Sequence, residues 1–345
     1  MHIQEFEGIN SFLVGVSQLL LNNGVGRVTR GFETVELDHP IIIKIKNPLA
    51  RLVTLKERNW NHVLPYAESL WIASGRNDMG MIGAYLKKMY DFSDDNISMR
   101  AAYGPRLRYF SGVPNDYKSD LNQKSIKVHI EKIIEVDQFA FIEKIFQRDP
   151  FTRQAIISIT DPAKDYFDNN YDLKKTKDFP CTNNIQFIRR NNRLDLITHM
   201  RSNDFFWGAS AVNIFNFTFI QEYFARILGL EVGNYYHIVN NLHYYKDFQK
   251  KIETLANLTE YKDDYFVYKK DFNSLVDFDL KITRLEKFED DLRNSVVKKL
   301  IAFDDDFFDD WAKVLFSFHV KKEPIKFANP VLNEIHQQKQ LKSNH

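Results

Sequence analysis

One cysteine in 345 residues, Cys181, is the feature that most narrows what this chain can be. A lone thiol leaves no internal disulfide framework and no Cys-x-x-Cys metal site, so the fold must stand on a buried apolar core, and the chemistry suits a reducing cytoplasm. The composition supplies such a core, with 44% hydrophobic and 27% charged residues. A net charge of +1 argues against a nucleic-acid footprint, which needs a basic face. No window reaches 18 apolar residues, and the N-terminus has neither a cationic leader nor a cleavable apolar run, so no membrane span is expected. The length allows one large domain or two small ones. A free cysteine is most often a small buried hydrophobe. Cys181 instead stands between Pro180 and the polar Thr182-Asn183-Asn184, where the interior of a helix or strand is expected to look more apolar. Twenty residues on, an apolar run ends in Arg201-Ser202-Asn203-Asp204, which puts a cation and a carboxylate at the end of a strand.

Around that stretch the periodicities sketch a mixed fold. Phe12, Leu13, Val16, Leu19 and Leu20 predict a helix over 11–21, and residues 22–27, with Gly24 and Gly26, break it. A Gly-x-Gly beside Arg27 can cradle a phosphate, but two glycines more often mark only a turn. Residues 28–37 and 41–45 read as strands. Residues 61–80 predict a helix carrying Glu68 and Trp71, and 91–96 a solvated loop. Arg106, Arg108 and residues 111–125 suggest a surface loop before a helix around 139–146 and a strand at 155–159. The polar residues 163–178 read as an insertion or loop, and 220–228 as an amphipathic core helix. Leu285, Phe288, Leu292, Val296 and Leu300 fall on one helical face and predict a packing stripe. Asp304 to Asp306, with Asp309 and Asp310, lack the glycine and closing glutamate of a calcium loop. They read as a helix N-terminus and a solvated face, and no metal is expected.

The motifs form an ordered set. Glu68 to Gly75 reads Glu-x-Leu-Trp-x-x-x-Gly; Tyr103-Gly104 follows, then Asp149 to Arg153 as Asp-Pro-x-Thr-Arg. Pro180-Cys181 is followed five residues on by Gln186; Arg201-Ser202-x-Asp204 by Phe205 and Gly208; then come Asn213-Ile214 and His243-Tyr244-Tyr245. In this order they resemble the thymidylate synthase family, which also contains the pyrimidine hydroxymethylases.

The resemblance implies an α+β fold in which a thymidylate synthase-like mixed β-sheet is flanked by helices and two copies pair sheet to sheet as a homodimer. It implies one catalytic domain over 1–330, with a polar insertion at about 163–178, a family-atypical segment at about 246–330 and a polar C-terminal tail over 331–345. Its chemistry is one-carbon transfer to carbon 5 of a uracil nucleotide, with 5,10-methylenetetrahydrofolate as co-substrate. Carbon 5 is a poor nucleophile until a thiolate adds at carbon 6. By resemblance Cys181 is that thiolate, with Arg201 placed to stabilise it. Glu68 orders water at the base and helps move protons, which calls for a carboxyl raised by burial. Tyr103 assists removal of the carbon 5 proton, and Asp204 binds the pterin or assists proton transfer. Substrate contacts fall to Arg201, Ser202, Gln186, Asn213 (the base), His243 and Tyr245 (the sugar), and to Arg153, which reaches the partner's site. Trp71 and Tyr90 line the folate site. Asn213 favours uracil, since an aspartate there suits cytosine. Methylation to the thymine nucleotide is the first expectation and hydroxymethylation a close second, with a non-catalytic nucleotide-binding protein as the third.

Several positions depart from the family pattern. Thr182 replaces the histidine after the cysteine, Gln154 a second arginine, and Asn240-Asn241 the usual Gly-Asp. Asn22 or Asn23 stands where an arginine to the phosphate is usual, with Arg27 and Arg30 nearby. Tyr90 and Phe92 stand where two tryptophans are usual. One extra residue lies between Gly208 and Asn213. The polar end of the chain lacks the apolar terminus that seals the folate site from water, and water decides whether the exocyclic methylene becomes methyl or hydroxymethyl.

Overall fold

The computed structural model describes residues 2–29, 31–119, 135–320 and 324–343. In chain order the first strands and helices are β1 (His2–Phe6), α1 (Ile9–Asn23), β2 (Gly24–Thr29), β3 (Phe32–Leu37) and β4 (Ile41–Ile45). Next come α2 (Val63–Ala73), α3 (Met79–Tyr85), α4 (Tyr103–Arg108), the two-residue strands β5 (Phe110–Ser111) and β6 (Glu135–Val136), α5 (Gln138–Arg148), β7 (Ile156–Ser158) and α6 (Pro162–Asp165). The central stretch supplies β8 (Thr182–Arg190), β9 (Arg193–Met200), β10 (Asn203–Asp204), a π-helical segment (Phe205–Asn213), α7 (Ile214–Ile227), β11 (Glu231–Val239) and β12 (Leu242–Tyr245). Helices α8 (Gln249–Ala256), α9 (Leu275–Arg293), α10 (Asp306–His319) and α11 (Pro330–Ser343) complete the chain.

The strands with period-2 burial assemble a six-stranded sheet in the order β1-β4-β11-β9-β8-β7, mixed in direction, with β1 parallel to β4 and β9 parallel to β11. A four-stranded sheet, β10-β12-β3-β2, stands beside it. Helix α7 lies on β9 and β11 and is buried along almost its whole length, so its Phe215, Phe217, Phe219 and Phe224 form the core rather than one stripe. Phe219 meets Phe307 and Trp311 of α10, which ties the C-terminal helices to the same core. The architecture is therefore a mixed α+β fold, as expected.

Topology brings three strand ends together. Thr182 opens β8 opposite Met200, which closes β9. The Arg201 N–H then donates to the Cys181 carbonyl at 2.9 Å, and the Asn240 N–H, just past β11, donates to Met200 at 3.0 Å. Beyond this edge the chain enters β10, paired in parallel with β12 so that Asp204 faces His243. The residues around 181, 201–204 and 240–243 thus share one sheet edge.

Several local expectations are corrected. The break at 22–27 is not a loop: Gly24 caps α1, the chain passes directly into β2, and the turn falls at Gly31, whose φ of +83° suits glycine. Arg30 lies outside the described residues, as do 120–125 of the expected 111–125 loop. Arg106 and Arg108 sit on α4, not in a surface loop. Arg106 is fully buried, with both terminal nitrogens on Asp165 at 2.8 and 2.9 Å. Arg108 pairs with Asp137 and Asp279. Lys164 and Asp165, within the polar 163–178 stretch, are buried for the same reason: a charge with partners tolerates the interior. The stripe over 281–303 ends with Leu292, because α9 stops at Arg293 and leaves Val296 and Leu300 exposed. Asp305 caps α10, as read, but Asp310 is buried and accepts the Ala328 and Asn329 N–H groups. The expected polar tail begins as helix α11, with Val331, Leu332 and Ile335 buried.

Candidate active site

Cys181 is half-buried at the head of β8. Arg201, at the end of the neighbouring strand, turns back over it. Its Nε donates to the Pro180 carbonyl at 2.8 Å, one Nη to the Phe179 carbonyl at 3.0 Å, and the same Nη lies 3.6 Å from Cys181 Sγ. A guanidinium held by two carbonyls beside a sulfur favours the thiolate, the nucleophilic form. Thr182, in the histidine's usual place, is fully buried. Its Oγ1 donates to the Tyr103 hydroxyl at 2.8 Å, and its backbone N–H lies 3.3 Å from the same oxygen.

Tyr103 opens α4 and stacks on Phe217 of α7. Burial raises its phenol well above the ordinary value, with the neighbouring Cys181 adding to the effect and the Thr182 bonds opposing it. Glu68 is on α2, whose other residues face the core almost all round. Burial pushes its carboxyl up to about 7, against the pull of the Asn216 amide beside it. That value lets Glu68 hold or release a proton near neutrality. Asn216 Oδ1 in turn accepts from the Ser69 hydroxyl at 2.8 Å.

The chain between Asp204 and Asn213 answers the extra residue counted in the sequence. A helix that must absorb one more residue without losing its ends can widen to i→i+5 bonding. Residues 205–213 do so, forming a π-helix that continues into α7. Asp204 caps it by accepting the Trp207 N–H. Burial raises the Asp204 carboxyl to about 6, opposed by backbone N–H groups at 206–208 and by Arg58. Its Oδ2 is buried with no hydrogen-bond partner among the described residues. Arg58 lies over the Phe206 ring and donates to the Phe206 carbonyl at 2.6 Å. At the far end, Asn213 Oδ1 accepts from Asn203 Nδ2 at 2.8 Å.

On the second sheet, His243 Nδ1 lies 2.8 Å from Asn241 Oδ1, and Asn241 Nδ2 donates to Glu36 at 2.8 Å. Ser202 reaches the same Asn241 oxygen at 3.5 Å. Tyr245 packs edge-on against His243. Cys181, Thr182, Arg201 and Ser202 are therefore at one strand edge. Glu68 and Tyr103 approach it from the helices, and Asp204, Asn213, His243 and Tyr245 flank it.

Other expected residues stand apart. Gln186 is roughly 13 Å along β8 from Thr182 at 3.3 Å per residue, and its amide donates to the Arg153 carbonyl at 3.1 Å. Arg153 is exposed on the surface. Arg148 donates to Gln154 at 3.0 Å, which brings a cation to the place of the replaced arginine. Arg27 pairs with Glu36 at 3.5 Å. Trp71 is buried, its indole N–H given to the Asp78 carbonyl at 3.1 Å, so it is part of the core. Tyr90 is partly exposed and covers Gly83. Sequence reasoning missed Arg58, Asn203, Asn216 and His237, which carry no motif of their own; the only signal was Asn203's place inside Arg-Ser-x-Asp. Among the described residues no group of three or more His, Cys, Asp or Glu side chains is placed to hold a metal ion. None of the described helices is long and apolar enough to cross a membrane.

A thiol beside a cation, two proton-carrying groups and a directed amide are equipment for nucleophilic addition to a polar, unsaturated ring. Comparison with known proteins agrees. The profile of the thymidylate synthase family matches residues 16–296. The chain is 40% identical over 208 residues to a deoxyuridylate hydroxymethyltransferase of Bacillus phage SP01, covering 60% of this chain and 50% of that protein. It is 30% identical over 238 residues to a protein of the same name from Pseudomonas phage M6, covering 68% and 59%. A third, from Delftia phage PhiW-14, is 29% identical over 213 residues, covering 60% and 52%. The chain spans about half the length of these curated relatives.

Proposed function

The chain belongs to the thymidylate synthase family, and we propose that it is a deoxyuridylate 5-hydroxymethyltransferase. It carries one carbon to carbon 5 of a uracil nucleotide and ends the reaction with water. The observation that carries the enzyme reading is the Cys181–Arg201 contact at 3.6 Å, flanked by Tyr103 and a Glu68 carboxyl raised to about 7. Between the two products, methylation was the first expectation. The shared name of the three relatives favours hydroxymethylation instead.

In this reading the Cys181 thiolate adds to carbon 6 of the base, and the electron pair displaced to carbon 5 attacks the one-carbon unit. The folate supplies that unit as its methylene. Arg201 stabilises the thiolate before addition and again when it leaves. The Tyr103 hydroxyl, held by Thr182 beside Cys181, assists removal of the carbon 5 proton, which leaves to solvent. Glu68, part-protonated near neutrality, gives and recovers a proton at the base's carbonyl edge. Asn213 offers its amide to nitrogen 3 and oxygen 4, and His243 and Tyr245 hold the sugar. Asp204 fits the pterin: its unpartnered, buried Oδ2 suits a ring N–H donor. Tyr90 offers an aromatic surface nearby, and Trp71 supports the wall from behind. After the folate departs, water adds to the exocyclic methylene, and the thiolate is expelled to restore the ring. We read residues 1–330, against which helix α11 packs, as one catalytic domain acting as a homodimer, in which Arg153, exposed on the surface, reaches the partner's nucleotide.

The test is mass spectrometry of the nucleotide after incubation with methylenetetrahydrofolate and dUMP, and separately with dCMP, UMP and CMP. Gain of CH₂O with tetrahydrofolate returned is the expected result. Gain of CH₂ with dihydrofolate formed would restore methylation, and no change with any of the four would sink the reading. Cys181→Ser should abolish product while leaving folding and nucleotide binding intact.

A further inference from the structure

Behind the base-facing amide runs a buried chain of hydrogen bonds joining both sheets. Tyr235 OH and Thr198 Oγ1 lie 2.7 and 3.1 Å from His237 Nδ1, and 2.8 Å from each other. His237 Nε2 lies 2.8 Å from Asn203 Oδ1. Asn203 Nδ2 donates to Asn213 Oδ1, also at 2.8 Å. Thr198, Tyr235 and His237 are fully buried, Asn203 is 4% exposed and Asn213 8%. Gly208 keeps the amide contact open, because a Cβ there would fall 2.4 Å from Asn203 Nδ2 and 2.9 Å from Asn213 Oδ1.

The chain has a direction. With the Asn203 oxygen placed toward His237, the matching tautomer carries its proton on Nε2 and accepts at Nδ1 from a hydroxyl. Burial holds the imidazole neutral, its value lowered to about 3, so it keeps one donor and one acceptor. Asn203 so placed turns its oxygen to His237 and its nitrogen to Asn213. If Asn213 turned over, two N–H donors would face each other at 2.8 Å in a buried place, and a hydrogen bond would be lost.

We propose that Asn203, held by His237, sets the orientation of the Asn213 amide and so makes the pocket read uracil rather than cytosine. This rests on the reading that Asn213 faces the base. Uracil shows a donor at nitrogen 3 and an acceptor at oxygen 4; cytosine shows the reverse at nitrogen 3 and its exocyclic amine. One amide serves either base, depending on which way round it is held. Asn213 alone therefore does not discriminate; its neighbour does. Asn203 is a positioning residue that touches no substrate.

The experiment is calorimetric binding of dUMP and dCMP to the whole chain, as wild type, Asn203→Ala and Asn203→Asp, with thermal melts to confirm folding. The alanine variant frees Asn213 to turn, so the preference for dUMP should fall about tenfold, the value of one hydrogen bond. An ionised aspartate accepts from both His237 and Asn213, which turns the amide over and should reverse the preference toward dCMP. Ordinary structural damage weakens both nucleotides together and leaves their ratio unchanged. An unchanged ratio in folded Asn203→Ala overturns the inference, even if the aspartate variant fails to fold. Wild type that binds neither nucleotide overturns instead the base-facing role of Asn213.

Discussion

Replacing Glu68 by glutamine tests the charge logic of the site quantitatively. The wild-type carboxyl titrates near 4.5 when unfolded and is pushed up to about 7 when folded, with burial the main cause. A carboxyl raised on folding binds more protons in the native state, so its contribution to stability falls as pH rises from about 4.5 to 7 and stays low above that window. At 1.36 kcal/mol per pKa unit, the ionised form costs the native state about 3 kcal/mol at pH 8. That figure is an upper value, since the side chain is only half-buried by area and solvent screens part of the charge. Glutamine keeps the shape and the Asn216 neighbour but cannot ionise. Urea denaturation of both proteins at half-unit steps from pH 4.5 to 8.5 should show the variant gaining on wild type across the window, by up to about 3 kcal/mol. Other titrating carboxyls cancel in the difference. The same variant should lose turnover on the order of 100-fold or more, because the proton it exchanges is gone. A stability difference that stays flat across the pH range would refute the reasoning, whatever happened to activity.

Tyr103→Phe removes the hydroxyl that meets Thr182, which should cost about 1 kcal/mol of stability. Its turnover should fall about 100-fold or more with dUMP affinity unchanged, as single-turnover kinetics and calorimetry would show. Arg201→Gln should slow alkylation of Cys181 by iodoacetamide at pH 7 by about tenfold, because the thiolate loses its cation; an unchanged rate would separate Arg201 from the thiol. Asp165→Ala leaves the buried Arg106 without its carboxylate and takes one of two from Arg100, and should cost about 3–5 kcal/mol in denaturant melts. Mixing inactive Cys181→Ser with inactive Arg153→Ala should restore about a quarter of wild-type activity, since random pairing makes half the dimers mixed and each has one intact site. No recovery would remove Arg153 from the partner's site.

The grouping of several candidate residues at one sheet edge was legible because their types are ones that ordinary packing would not choose. A cysteine between proline and three polar residues, an arginine and aspartate closing an apolar run, and an asparagine leading a helix needed a reason, and the sheet edge at 181, 201 and 240 supplies it. Helices α1 and α5 and strands β4 and β7 also came through, because local periodicity decided them, whereas α7 starts six residues earlier than expected and is buried nearly all round. What escaped were decisions made across distance. Arg106 looks like a surface residue until Asp165, 59 positions away, pairs with it in the interior. Trp71 reads as a ligand wall by motif, yet its indole is given to Asp78. His237 is one inward position among several on β11, and nothing local connects it with Asn203. The extra residue before Asn213 was countable, but its consequence was not: a loop would have absorbed it as readily as a π-turn. Asp204 caps one end of the segment and Asn203 holds Asn213 at the other, so both ends were fixed. With fixed ends an added residue has to be taken up in the helix itself, and the wider turn leaves the amide in register with the network behind it.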